Sequence, residues 1–271
     1  MHQLPNHLLA SALLLCASTA VALSPAETDP AKIMAAVEDR ETGDRGTARM
    51  QMTITDAAKR SRSRVVQTRL MKFKGGNKQI MFFVSPADVR NTALLSVDYD
   101  DGGKSDDQWL YLPSLRKVTR ISSSDKSGAF MGSDLTYADM TSKDPKNYTY
   151  TLVKPNVKVG GEDCWLIESK PKTSKEMRET GYLKSLVWVS KSKLLPIQTK
   201  SWVRKGRKLK FTKFGDIRKV DGIWIAHRIL VRTVRAKKVV STTQLRFLNY
   251  KLNDASVKAG DFTQRRLEKG L

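Results

Sequence analysis

The chain has 271 residues and a formal net charge of +22, from 49 Lys and Arg against 27 Asp and Glu, with three His and two Cys. That length can bury one full core, and so few cysteines and histidines exclude a disulfide-built scaffold and the usual clustered zinc site. The positive field favours polyanions or an anionic membrane surface as partners.

Residues 1–22 read as a signal peptide. An apolar run from Leu8 to Ala17 is followed by small residues ending in Ala20-Val21-Ala22, an A-x-A cleavage site. The run falls short of the roughly 20 residues that span a bilayer. Its flank carries no Lys or Arg, only the terminal amine, His2 and His7. Leu15 precedes Cys16 where lipoprotein processing needs a small residue, so the expectation is a soluble periplasmic protein cleaved after Ala22. Its sole cysteine is then Cys164, set among Trp165, Leu166 and Ile167 as a small buried hydrophobe.

The spacing of Ile33, Met34 and Val37 predicts one helix over 31–40, capped by Asp29. From Met50 the period changes to two. Met50, Met52 and Ile54 alternate with polar residues, as do Tyr148, Tyr150 and Leu152, and later Ile223, Ile225, Ile229 and Val231. Turn signals such as Gly75-Gly76-Asn77, Gly160-Gly161 and Asp221-Gly222 separate about ten to twelve strands, with no βαβ alternation. The expectation is one mainly β domain over residues 23–271.

Alternation stops between Ser122 and Lys146, a polar stretch around Gly128-Ala129-Phe130-Met131-Gly132 that leads into a short helical piece, Leu135 to Met140, capped by Ser133 or Asp134. A loop this long inside a β domain is a lid or disordered. Phe130 and Met131 have no local core to join, so they are expected to cover a ligand.

Catalysis needs a positioned base, nucleophile or metal, and the mature chain offers one histidine, His227, and one cysteine. His227 shares a strand face with Ile225 and Ile229 and is expected to be buried. Asp98, Asp100, Asp101, Asp106 and Asp107 lack the spacing of a calcium loop and read as a solvated hairpin. No catalytic residue, metal or cofactor is expected. Between 200 and 240 there are fourteen Lys or Arg, with Trp202, Phe211, Phe214 and Trp224 interleaved. These could form a nucleic-acid groove. The charges cluster at hairpin turns and the chain is exported, so nucleic acid is not an expected partner, and a basic rim facing anionic headgroups is.

Two neighbouring segments carry a family resemblance: residues 107–121, DQWLYLPSLRKVTRI, and 130–140, FMGSDLTYADM. With 186–190 leading into Leu195-Pro196, and 220–225, they resemble the outer membrane lipoprotein-sorting proteins. Ala226-His227 departs from the proline those proteins often carry there. The resemblance implies a LolA-like incomplete antiparallel barrel, with a few helices in its open side around an apolar cavity. It further implies a monomeric periplasmic carrier, not an enzyme, that takes a lipid or lipoprotein acyl chain between membranes or to an RND/MMPL-type exporter. A sensor of lipids or mislocalised lipoproteins on the same fold is the alternative. Trp109, Tyr111, Trp188 and Trp202 join Phe130 and Met131 as candidates for the cavity lining or its lid, with plain core packing as the competing role of each aromatic.

Overall fold

The computed structural model describes residues 23–101 and 103–270; the predicted signal peptide lies outside them. After α1 (Pro30–Glu38) come β1 (Arg45–Asp56), β2 (Ser61–Phe73), β3 (Gly76–Ser85), β4 (Ala93–Tyr99), β5 (Asp107–Leu112) and β6 (Lys117–Arg120). Residues 121–147 then lead to β7 (Tyr148–Val159), β8 (Glu162–Pro171), α2 (Ser174–Thr180), β9 (Tyr182–Ser190) and β10 (Pro196–Val203). The chain ends with β11 (Lys208–Val220), β12 (Ile223–Arg235), β13 (Lys238–Leu252) and α3 (Gln264–Lys269).

All thirteen strands form one open antiparallel sheet in the order β6-β5-β4-β3-β2-β1-β13-β12-β11-β10-β9-β8-β7. The mainly β, open-sheet expectation holds, with one strand more than foreseen. β1 pairs with both β2 and β13, so the two ends of the sheet-forming chain meet in the middle of the sheet. The strands at the two open edges, β6 and β7, are therefore neighbours in sequence. Residues 121–147 have to travel from one edge to the other, and they do so across one face, called here the inner face.

Strand alternation sorts side chains between the two faces. On the inner face, Met50, Met52, Val66, Phe83, Leu94, Leu110 and Leu245 form a buried cluster under the crossing strap. α1 covers the other half of that face, setting Ile33 and Val37 on Trp165, Ile167, Val187 and Val189. Its start is the foreseen one, with the Asp29 carboxylate accepting from the Ala31 and Lys32 amides. On the outer face, Ile80, Phe82, Leu95 and Val97 are covered by Val257, Phe262 and Leu267 of the C-terminal segment. The helices α2 and α3 carry no long apolar period, which is why a reading based on periodicity passes over them.

The strap is not a loose lid. Phe130 is fully buried in the inner cluster, its ring 5.9 Å from that of Phe83 and 5.7 Å from that of Tyr137. The expectation that it lacks a core is corrected: its core is supplied by strands far away in sequence. Met131 is half-buried beside it, with positive φ, and its carbonyl accepts from the Arg64 guanidinium. The helical piece is also shorter than foreseen, a single 3-10 turn at Tyr137–Met140. Thr136 caps it in place of Ser133 or Asp134, exchanging hydrogen bonds with Asp139. Filling a core site this large, Phe130 is expected to lose about 3–5 kcal/mol of stability on replacement by Ala. Urea unfolding measures it, and an unchanged midpoint would return Phe130 to the role of a removable cover.

Candidate functional site

Beyond the strap, the inner face is not filled. A cavity of about 560 Å³ lies between α1, the end of the strap and β7–β13. Met34 and Val37 of α1 face Tyr148, Phe214, Ile225 and Phe247 across it. Each of those strand residues is an inward position of the period-two pattern. Glu38, Arg40 and Lys143 supply its charged groups. The volume lies within the roughly 300–1,000 Å³ of small-ligand sites, and the lining mixes apolar surface with a few polar groups as such sites do.

The strap that ends at this cavity is fixed by polar ties to the sheet on both sides. Asp134, itself buried, accepts from the hydroxyls of Thr233, Ser241 and Thr243 on β12 and β13, and its amide donates to Thr243 Oγ1 at 2.8 Å. Gln108 Nε2 of β5 donates to the Tyr137 carbonyl at 2.8 Å, and Lys126 Nζ donates to the Asp106 carbonyl at 2.7 Å. On the opposite side the Tyr182 hydroxyl donates to Asp139 Oδ2 at 2.8 Å, and Lys210 Nζ lies 3.8 Å from that same oxygen. Burial pulls the Lys210 ammonium below its ordinary value, against the opposing pull of Asp139. Burial, with Asp139 beside it, drives the Tyr182 phenol well above its own. Tyr182 is thus a neutral donor at any working pH.

The acidic cluster of the β4–β5 region is not the uniformly solvated hairpin expected. Asp98 turns inward, its Oδ2 accepting from the Ser142 amide of the strap at 2.9 Å. Desolvation raises its carboxyl to about 7, against the lowering effect of that hydrogen bond. Asp107, in contrast, is held low by the Arg120 guanidinium and the Tyr99 hydroxyl, which outweigh its partial burial. His227 is buried as foreseen, with Nδ1 at 3.2 Å from the carbonyls of Asp216 and Ile225. Cys164 is also buried, and its desolvated thiol is pushed up to about 11.

The aromatic candidates do not gather round the cavity. Trp109 and Tyr111 flank the inward Leu110 and pack on the outer face with the cluster that contains Phe262 and Leu267. Trp188 alternates with Val187 and Val189, which pack under α1, and so takes the other face. Trp202 follows the cavity-lining Ser201, and its ring carries the ammonium groups of Lys184 and Lys200 at 4.9 and 4.7 Å. The lining comes instead from Tyr148, Tyr150, Phe214, Ile225, Ile229 and Phe247. Four of these, Tyr148, Tyr150, Ile225 and Ile229, already stand out in the sequence as alternating strand positions.

A fold of this kind occurs in known structures. An outer membrane lipoprotein-sorting protein domain from Vibrio parahaemolyticus is 30% identical, with a TM-score of 0.79 over 88% of this chain and 98% of that one. The chain belongs to the outer membrane lipoprotein-sorting family. A DUF1329 family protein from Desulfovibrio piger is 29% identical over 89% of this chain and 100% of that one, also with a TM-score of 0.79. A LolA superfamily protein from Nitrosomonas europaea, 21% identical over 88% of this chain and 99% of that one with a TM-score of 0.66, shares the fold. A family model described only as an uncharacterized protein matches residues 75–269. No curated protein matches. For this family member the resemblance carried by residues 107–121 and 130–140 is confirmed.

Two outcomes follow for the strap. Asp134→Ala would leave three hydroxyls of β12 and β13 without their acceptor, at a cost of about 3 kcal/mol or more; amide exchange in residues 122–141 should rise with it. Exchange as slow as in the unaltered protein would show that Asp134 does not hold the strap. Asp98 has a folded-state value above its unfolded one, so its protonated form favours the fold. Its contribution is complete below about pH 4 and is lost as pH rises to about 7. Asp98→Asn should flatten that part of the Tm–pH curve and raise Tm at pH 8; a parallel curve would contradict the assignment.

Proposed function

We propose that the chain is a periplasmic carrier that shelters a lipid or lipoprotein acyl chain in the cavity between α1 and β7–β13. It moves this cargo between membranes or passes it to an RND/MMPL-type exporter, acts as a monomer and catalyses no reaction. The single observation that carries the reading is the largely apolar cavity on the inner face of a sheet too wide to fill its own interior. The Vibrio relative's designation as a lipoprotein-sorting domain supports the cargo class. The predicted signal peptide supports the compartment, and among the described residues no helix is long and apolar enough to cross a membrane.

The energetics suit a carrier. Each methylene moved from water into the cavity contributes about 0.8 kcal/mol. A chain of about a dozen methylenes therefore gains roughly 10 kcal/mol before the cost of ordering it, enough for capture and still reversible. Tyr148, Tyr150 and Tyr250 add rings whose hydroxyls stay protonated, since burial raises all three above their ordinary values.

Delipidated protein titrated with a fluorescent fatty acid or an acylated peptide should show saturable binding. Ile225→Trp, which places an indole inside the cavity, should weaken that binding at least tenfold while Tm stays within a few degrees. Absence of saturable binding to the unaltered protein would overturn the carrier reading. Undiminished binding to Ile225→Trp would move the cargo elsewhere.

A further inference from the structure

A second cavity, about 640 Å³, opens on the same side of the sheet, where the strap, α2, the β10–β11 hairpin and β13 converge. Its wall carries six cations: Lys175, Arg178, Arg204, Lys205, Lys208 and Lys210. Of its two acidic groups, Asp134 accepts from three hydroxyls, while Glu179 lies 3.9 Å from Lys175 Nζ and its Oε1 accepts no hydrogen bond. Lys210 is spent on Asp139. Among the described residues, Arg178, Arg204, Lys205 and Lys208 enter no ion pair.

Like charges do not assemble of their own accord, so the backbone must hold them together. The Arg204 amide donates to the Gly181 carbonyl at 2.8 Å, which ties the β10–β11 hairpin to the end of α2. Gly181 has a φ of +77°, and a Cβ there would lie 3.0 Å from that of Ser127. Helix, hairpin and strap therefore meet at a point only glycine fits. Arg178 has a local reason for its place, in the last turn of α2. Arg204 and Lys205 stand exposed in the β10–β11 turn, and Lys208 opens β11. Cations focused in a concave wall attract an anion far more strongly than the same charges spread over a flat surface.

We propose that this second cavity receives the phosphate headgroup of an anionic lipid whose acyl chain occupies the apolar cavity. The inference rests on the carrier reading and names its cargo class. Tyr182 lines both cavities. β11 directs Lys208 and Lys210 into the basic cavity and Phe214 into the apolar one. At about 3.3 Å per residue, Lys210 and Phe214 lie roughly 13 Å apart along the strand, within the span of a single amphiphile. Guanidinium and ammonium groups together match the several acceptor oxygens of a phosphate. An uncharged diacyl group would leave them uncompensated.

The test uses the delipidated full chain and four probes: a short-chain phosphatidylglycerol, the phosphatidylcholine with the same chains, a fatty alcohol of equal length, and inorganic phosphate. Phosphatidylglycerol should bind at least tenfold tighter than phosphatidylcholine at low salt, and the ratio should shrink as salt screens the charges. Combined Arg178→Gln, Arg204→Gln and Lys208→Gln should bring the ratio near one and leave fatty-alcohol affinity unchanged. Arg204→Gln alone, at an exposed position, should act in the same direction by a smaller factor. A ratio near one in the unaltered protein, or one that the substitutions do not move, overturns the headgroup assignment. Inorganic phosphate binding as tightly as phosphatidylglycerol overturns it too, by making the cavity a free-anion site. Failure of fatty alcohol and both lipids to bind at all would instead bring down the carrier reading.

Discussion

The edge strands of the sheet are consecutive in the chain, and the rest of the molecule follows from that constraint. β6 and β7 lie at opposite ends of the strand order, so residues 121–147 must recross the inner face. Backbone carried over an apolar sheet needs partners for its polar groups. Asp134, Gln108, Arg64 and Lys126 provide or fix those ties, each linking the strap to a different part of the protein. Phe130 supplies the apolar counterpart, filling the space over β1–β5 that the sheet cannot fill itself.

The strap consequently divides the inner face. Over β1–β5 its side chains complete a packed core. Towards β7–β13 it ends against α1 and leaves an apolar cavity, and beside α2 it walls a basic one. The knot of Tyr182, Asp139 and Lys210 stands where the two cavities meet, and it joins the strap to β9 and β11. A carrier needs a hollow whose walls stay apart when it is empty. Here the strap that ends at the hollow is held by charge-assisted hydrogen bonds to the sheet and not by the cargo.

Much of the architecture was legible from period-two alternation, because each strand buries one face and that pattern is local. Asp29 as the cap of α1, the burial of His227 and Cys164, and the family resemblance of residues 107–140 were legible for the same reason. Inner and outer faces were not distinguishable. The C-terminal segment covers the outer face as well, so Trp109 and Tyr111 sit in apolar surroundings while pointing away from the cavity. Phe130 looked unpartnered because its neighbours, Met52, Val66, Phe83 and Leu94, come from four other strands. Asp134 gave no warning of its role either. Its partners are single hydroxyls about a hundred residues downstream, at the inward positions of β12 and β13 where an apolar side chain would be ordinary.

The proposed role makes the inner-face hollow a seat for an acyl chain. Native mass spectrometry of the full chain, isolated from the periplasm without detergent, tests it most directly. A population carrying one acyl-chain lipid per protein molecule, lost on delipidation and regained on incubation with outer-membrane lipid extract, is the predicted result. Protein that remains at its lipid-free mass throughout would contradict it.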